Sequence, residues 1–307
     1  MSMRFARLAL LVLMLGATTA AAADGRVVVL LGETDGYMAA AARYWSGRWS
    51  ARHVVHGVGS LAELREVLTT HSLRGDASWR EIVLVSHASE WSGLQVPLYP
   101  GGDNATPGEL VAAHKSGEFP GLRSSILDVG TIVHLEGCGV GRRPDLLDAL
   151  VRLLSADGQI RLSASPNLVS YLDDGSGMVR RTELPYASRI INDLSRSEAT
   201  LAGLAAEVRV AQGPDAQGRL ASERRPVGVR LPLPEDISSS RLRPERLAAR
   251  YEPLRNRLTE LGFTPAQLRW RIERGTGGGL DLVGEAFVLV VRPDIGIAIG
   301  TPDGAAP

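Results

Sequence analysis

Short apolar runs recur along the first half of the chain, each closed by polar or turn-forming residues, with apolar positions at helical spacing between them. Arg26-Val-Val-Val-Leu-Leu31 is continuous enough to predict a strand buried on both faces, and Ile82–Ser86 and Thr131–Glu136 read the same way. Arg52–His56 is a shorter second strand and Gln159–Ser163 a fifth. Helices are predicted over Tyr37–Trp45, over Leu61–Leu68 behind the Ser60 and Glu63 capping box, from Thr106-Pro107 through His114, and from Pro144 onward. In the last of these, Leu146, Leu147, Leu150, Leu153 and Leu154 form one apolar face. Strands alternating with helices predict an α/β fold, a mostly parallel sheet with helices on both faces, over residues 24–180.

The pattern loosens over residues 181–307, which are expected to form a C-terminal extension. Pro185–Val210 is predicted helical, Pro226–Ser240 an extended connection, and Arg243–Leu261 a charged amphipathic helix, with another starting at Thr264. Ala286–Val291 and Ile295–Ile299 flank Arg292-Pro-Asp294 as a terminal β-hairpin. That hairpin either extends the main sheet or belongs to a small second domain.

The first 23 residues read as a signal peptide. A short basic start with Arg4 and Arg7 precedes apolar Leu8–Leu15, and Ala21-Ala-Ala23 fits the small-residue cleavage rule. No later run reaches eighteen apolar residues, so no integral membrane segment is expected after cleavage, and the protein is expected to be exported, periplasmic or secreted. The formal net charge of zero gives no electrostatic reason to expect nucleic acid or an anionic membrane as a partner. Lys115 is the single lysine among the basic residues, which reads as coding bias.

Export changes the meaning of Cys138, the only cysteine of the chain. Oxidising compartments favour paired cysteines, and this thiol has no internal partner, which leaves intermolecular pairing, a reactive group or a buried small hydrophobe. Cys138 closes the Thr131–Glu136 strand, and His87 closes the Ile82–Ser86 strand. Open α/β sheets place their chemistry at such strand ends. A thiol attacks as the thiolate, so His87 supplies the base it needs. Gly137, Gly139 and Gly141 allow a sharp bend and close substrate approach, leaving backbone N–H groups to hold an oxyanion.

His87 precedes Cys138 by 51 residues, and Glu136-Gly-Cys138-Gly139 shares its Cys and following Gly with the caspase pattern. This part of the chain, about Arg26–Ser170, resembles the caspase-like peptidases, the gingipain, clostripain and separase group, where a strand ending in Ser-His-Gly precedes one ending before Cys. Ser86-His87-Ala88 carries alanine in place of that glycine. The resemblance implies a three-layer caspase-like sandwich and a cysteine endopeptidase acting on polypeptide through a thioester, without metal or cofactor. Cys138 would be the nucleophile, His87 the general acid or base, and the N–H groups of Ala88 and Cys138 the oxyanion donors.

Two other readings stand beside it. Cys138-Gly-Val-Gly141-Arg-Arg143 fits the Cys-x-x-Gly-x-Arg loop of rhodanese-like sulfurtransferases, with Pro144 in place of the usual Ser or Thr. A peptidase-like domain that binds a protein partner without catalysis is the other.

Glu33 and Asp35 follow the first strand, and Ser163 and Ser165 the fifth, so all four are candidate substrate-binding positions, with loop capping the plainer role. Asp173-Asp174 would favour a basic substrate residue, against an ordinary acidic turn. His134 and Glu136, alternating on a buried strand, are expected to serve structure rather than catalysis, and no His, Cys or carboxylate cluster has metal-ligand spacing.

Overall fold

A computed structural model describes residues 24–91, 93–173, 175–214, 218–234, 243–260, 263–275 and 278–295. The predicted signal peptide, residues 1–23, lies outside them. The described chain is mixed α/β with a five-stranded parallel sheet and seven helices. The parallel strands are β1 (Arg26–Leu31), β2 (Val54–Val58), β3 (Glu81–Ser86), β4 (Ile132–Glu136) and β5 (Arg161–Ala164), ordered β2-β1-β3-β4-β5. Between them run α1 (Gly36–Trp49), α2 (Leu61–Thr70), α3 (Pro107–Ser116) and α4 (Pro144–Leu154).

Strand alternation sends neighbouring side chains to opposite faces, and both faces of this sheet are covered. Val27, Val29, Ile82, Leu84, Val133 and Leu135 meet α2, α3 and α4 through Leu64, Leu110, Leu146 and Leu150. Val28, Leu30, Val83 and Val85 meet Met38, Ala41 and Trp45 of α1. On that second face α1 is joined by an antiparallel hairpin, β6 (Leu168–Asp173) and β7 (Val179–Leu184), whose Val169 and Tyr171 complete the layer. This hairpin crosses the boundary expected near residue 180.

The helix starts follow their capping residues. Asp35 Oδ1 accepts from Met38 N at 2.9 Å at the start of α1, and Thr106 forms a reciprocal box with Glu109 at α3. Ser60 accepts from Glu63 N as expected, but the Glu63 carboxylate reaches Gly59 N rather than that of Ser60.

Beyond Leu184 the structure departs from the expected helices. The predicted helix over Pro185–Val210 begins as strand β8 (Ala187–Ile191), and only α5 (Ser197–Gln212) is helical. The expected connection over Pro226–Ser240 starts inside β9 (Leu220–Pro232), and residues 235–242 lie outside the described residues. Pro226 and Pro232 are tolerated because β9 pairs on one side only, so a missing N–H disturbs no second ladder. The predicted helix over Arg243–Leu261 is two, α6 (Pro244–Arg250) and α7 (Glu252–Glu260). Thr264 caps a single turn before β10 (Arg269–Arg274) rather than a full helix.

Of the expected terminal hairpin, the first arm lies within the described residues. Ala286–Val291 lies within β11 (Leu280–Pro293), which pairs antiparallel with β8, β9 and β10 as the centre of a separate four-stranded sheet. Residues 296–307, most of the second predicted arm, lie outside the described residues. The two sheets meet where Val288 and Val290 of β11 pack with Leu168, Tyr186, Trp91 and Cys138.

Candidate active site

Strand order reverses between β1 and β3, since β2 lies beyond β1 and every later parallel strand lies beyond β3. Loops leaving the carboxyl ends of those two strands part there and open a crevice. The loop after β1 carries Asp35, the loop after β3 carries His87, and Cys138 follows the next strand along, β4. His87 Nε2 lies 2.8 Å from Asp35 Oδ2, and the Tyr37 ring packs on the imidazole at 5.0 Å. Holding Nε2–H against a carboxylate fixes the tautomer and leaves the Nδ1 lone pair as the basic site. His87 Nδ1 has no partner among the described residues.

His87 and Cys138 line the same cleft, together with Ala88, Trp91, Gln95, Leu168 and Tyr186. They do not hydrogen-bond to one another in this state. The Cys138 thiol donates to Val169 O at 3.6 Å, a weak bond that holds a neutral S–H. Burial pushes the thiol pKa up, and the charges of Arg225 and Arg292 oppose that rise. Alkylation of Cys138 by a small haloacetamide should therefore keep accelerating as pH rises through the ordinary thiol range of about 8.5. A pH–rate midpoint at or below that range in the free protein would contradict a thiol held neutral by burial.

Two residues that line this cleft have backbone N–H groups without an acceptor among the described residues. Ala88 pairs with Leu94 in a short ladder, and Gln95 N donates to His87 O, which makes Ala88–Leu94 a non-hydrogen-bonded pair. In such a pair the N–H points away from the partner strand. Ala88 does not sit at positive φ, so alanine is held there without backbone strain. Cys138 N has no acceptor among the described residues, whereas Gly139 N and Gly141 N donate to Asn167 O and Ser165 O at 3.0 Å each.

The glycines are required by close approach. A Cβ on Gly137 would lie 2.8 Å from the Ala88 Cβ, and one on Gly141 would lie 2.5 Å from Ala164 O. Gly139 adopts φ +69°, and a Cβ there would collide with the Tyr186 hydroxyl. The Cys138 turn is thus clamped between the β3 loop, the segment after β5 and Tyr186.

These bonds also bear on the sulfurtransferase reading. The N–H groups of Gly139 and Gly141 are occupied by carbonyls, so they do not converge on the sulfur as an anion cradle. Arg142 stacks on Tyr186 at 4.0 Å and donates to Tyr186 O, while Arg143 forks onto Asp145. The loop matches in sequence but not in the use of its donors.

The remaining sequence-predicted positions separate. Asp35 enters the site through His87 rather than as a substrate contact. Glu33 is exposed and outside the cleft lining. Ser163 faces its ladder partner His134, with Oγ 3.0 Å from Nδ1, and Ser165 donates to Glu183 at 2.6 Å, so neither lines the cleft. Asp173 pairs with Arg43 at 3.1 Å, and Asp174 lies outside the described residues. Glu136 accepts from Arg181 Nε at 2.7 Å as a buried structural carboxylate. No group of three or more metal-ligating side chains occurs among the described residues.

Three lining residues had no sequence signal. Glu223, Arg225 and Arg292 come from β9 and β11 and close the cleft from the second sheet. Comparison with family models, with curated proteins and with solved structures finds no match to this chain.

Proposed function

We propose that the protein is an exported cysteine endopeptidase of caspase-like architecture, with Cys138 as nucleophile, His87 as general base and acid, and Asp35 as the group that orients His87. The observation carrying this reading is one cleft that holds a thiol, an oriented imidazole and two unused amides, all at the carboxyl ends of adjacent parallel strands. Rotation about χ1 of Cys138 releases the thiol from Val169 O toward the Nδ1 side of His87. His87 takes the thiol proton as sulfur attacks the peptide carbonyl carbon. The oxygen that gains charge accepts from the N–H groups of Ala88 and Cys138. Imidazolium then protonates the departing amine as the C–N bond breaks, leaving a thioester on Cys138. Water, deprotonated by His87, attacks that thioester and releases the new carboxyl terminus and the thiol. No metal or cofactor enters these steps.

The thiol bound to Val169 O favours a second reading, a peptide-binding domain without catalysis. Mass analysis after incubation with peptidyl acyloxymethyl ketones separates the two. A single adduct on Cys138, absent from Cys138→Ala, is expected of the peptidase. Absence of any adduct across a varied peptide panel, with the same peptides binding reversibly, would leave only the binding domain.

A further inference from the structure

Tyr37 carries a hydroxyl that the resting arrangement does not use. It stands in the first turn of α1, two residues after Asp35, so the carboxylate that holds His87 and the ring that packs on the imidazole leave the same loop. The ring also packs against the layer that contains Val169 and Tyr171 of β6, with the Tyr171 ring edge-on at 5.4 Å. Val169 is the residue whose carbonyl accepts from the Cys138 thiol. Tyr37 thus touches both the imidazole and the strand on which the sulfur rests. Its Oη is buried and has no hydrogen-bond partner among the described residues. The Tyr171 hydroxyl, by contrast, donates to Glu136 and accepts from Trp45. A buried tyrosine hydroxyl ordinarily finds a partner, because leaving it unpaired costs the free energy of its lost hydration. Phenylalanine at position 37 would keep the ring contacts without that cost.

We propose that the Tyr37 hydroxyl is a donor to the Cys138 thiolate, unpaired in the resting state and engaged once the thiol proton has passed to His87. The inference rests on the assignment of Cys138 as nucleophile and adds a residue to it. Loss of the thiol proton removes the bond from sulfur to Val169 O and places a negative charge beside a carbonyl oxygen, which repels it. The proton moves to His87 Nδ1, the tyrosine keeps its own, and one O–H···S⁻ hydrogen bond forms. Burial, and then the neighbouring Cys138, push the Tyr37 pKa well up, so the phenol stays a donor while the thiol titrates. The same burial disfavours the thiolate, and a hydroxyl supplied from within the layer is what offsets it.

The test is Tyr37→Phe in the full-length protein, read by the pH–rate profile of haloacetamide labelling. The chain has one cysteine, so a single site is labelled and the midpoint of the profile is its thiol pKa. That midpoint should rise by about one to two pH units, a roughly ten- to hundred-fold smaller thiolate-to-thiol ratio at any given pH, as expected when a hydrogen bond to a charged group is lost. The melting temperature should stay level or rise, because the hydroxyl removed had no partner. Tyr171→Phe should instead lower it, since that hydroxyl is bonded on both sides. An unchanged midpoint in Tyr37→Phe overturns the proposal. So does a fall in its melting temperature, or failure to fold, which would mean that the hydroxyl is already bonded in the resting protein. A raised midpoint without any peptidyl ketone adduct would keep this inference and remove the peptidase. Adducts on Cys138 with an unchanged midpoint would do the reverse.

Discussion

Replacing His87 by alanine is expected to slow Cys138-dependent adduct formation and peptide hydrolysis by about 10²–10⁴-fold, the usual contribution of a positioned general base. Asp35→Asn should cost less, about ten- to hundred-fold, as expected when a charged hydrogen bond to the imidazole is weakened rather than the base removed. The comparison is clean at the level of fold. Asn is as good an N-cap as Asp, and its side-chain oxygen can still accept from Met38 N, so α1 should begin where it does now. What Asn loses is the negative charge that stabilises imidazolium and fixes the His87 tautomer. The rate profile of Asp35→Asn should therefore shift its acidic limb to lower pH, because imidazolium is less favoured and the neutral base persists further down. An unshifted profile with a uniform rate loss would mean that Asp35 serves only the helix start. Equal rates in wild type and His87→Ala, measured over pH 6–9, would remove His87 from the chemistry.

The parallel half of the fold was legible because its strands are buried on both sides. Val27–Leu31 and Ile82–Val85 are continuous apolar runs with no polar interruption to misread. The antiparallel sheet is written differently. Strand β9 carries the charged run Glu223-Arg224-Arg225 and contains two prolines, which reads as a connection until its edge position is known. Cys138 and His87 were legible as strand ends, since position along a parallel strand already fixes which edge of the sheet a residue reaches. Asp35 was visible as a loop carboxylate, but its partner lies 52 residues away and the pairing depends on the β1–β3 adjacency. Ser163 misled because β5 ends one residue later than expected, which keeps it in the ladder opposite His134. Arg225 and Arg292 had no signal at all, since their meeting requires the register of two strands far apart in sequence.

Arg181→Ala is expected to destabilise the protein by about 2–4 kcal/mol, toward the lower part of the range for breaking a buried ion pair because the Arg181 side chain is 25% exposed. Glu136 is the reason. Its carboxylate, 6% exposed at the end of β4, is held by Arg181 Nε at 2.7 Å and by the Tyr171 hydroxyl at 3.3 Å, which itself accepts from Trp45 Nε1 at 3.1 Å. Removing Arg181 leaves a charge in the protein interior with one neutral donor. The melting temperature should fall by roughly 5–12 °C for a chain of this size. Burial beside Glu136 already pushes the Tyr171 pKa well up, so Tyr171 cannot share the charge. The double replacement Glu136→Leu with Arg181→Met should recover most of the loss, because an apolar pair of similar volume needs no desolvation of ions. Equal destabilisation in the single and double variants would mean that the side-chain volume of Arg181, rather than its charge, holds β7 against the sheet. The effect should reach the site as well. Tyr171 and Val169 lie on the same face of β6, and Val169 O is the acceptor that parks the Cys138 thiol. A loosened hairpin should release that thiol, so Arg181→Ala should raise the rate of simple haloacetamide labelling of Cys138 while lowering the melting temperature.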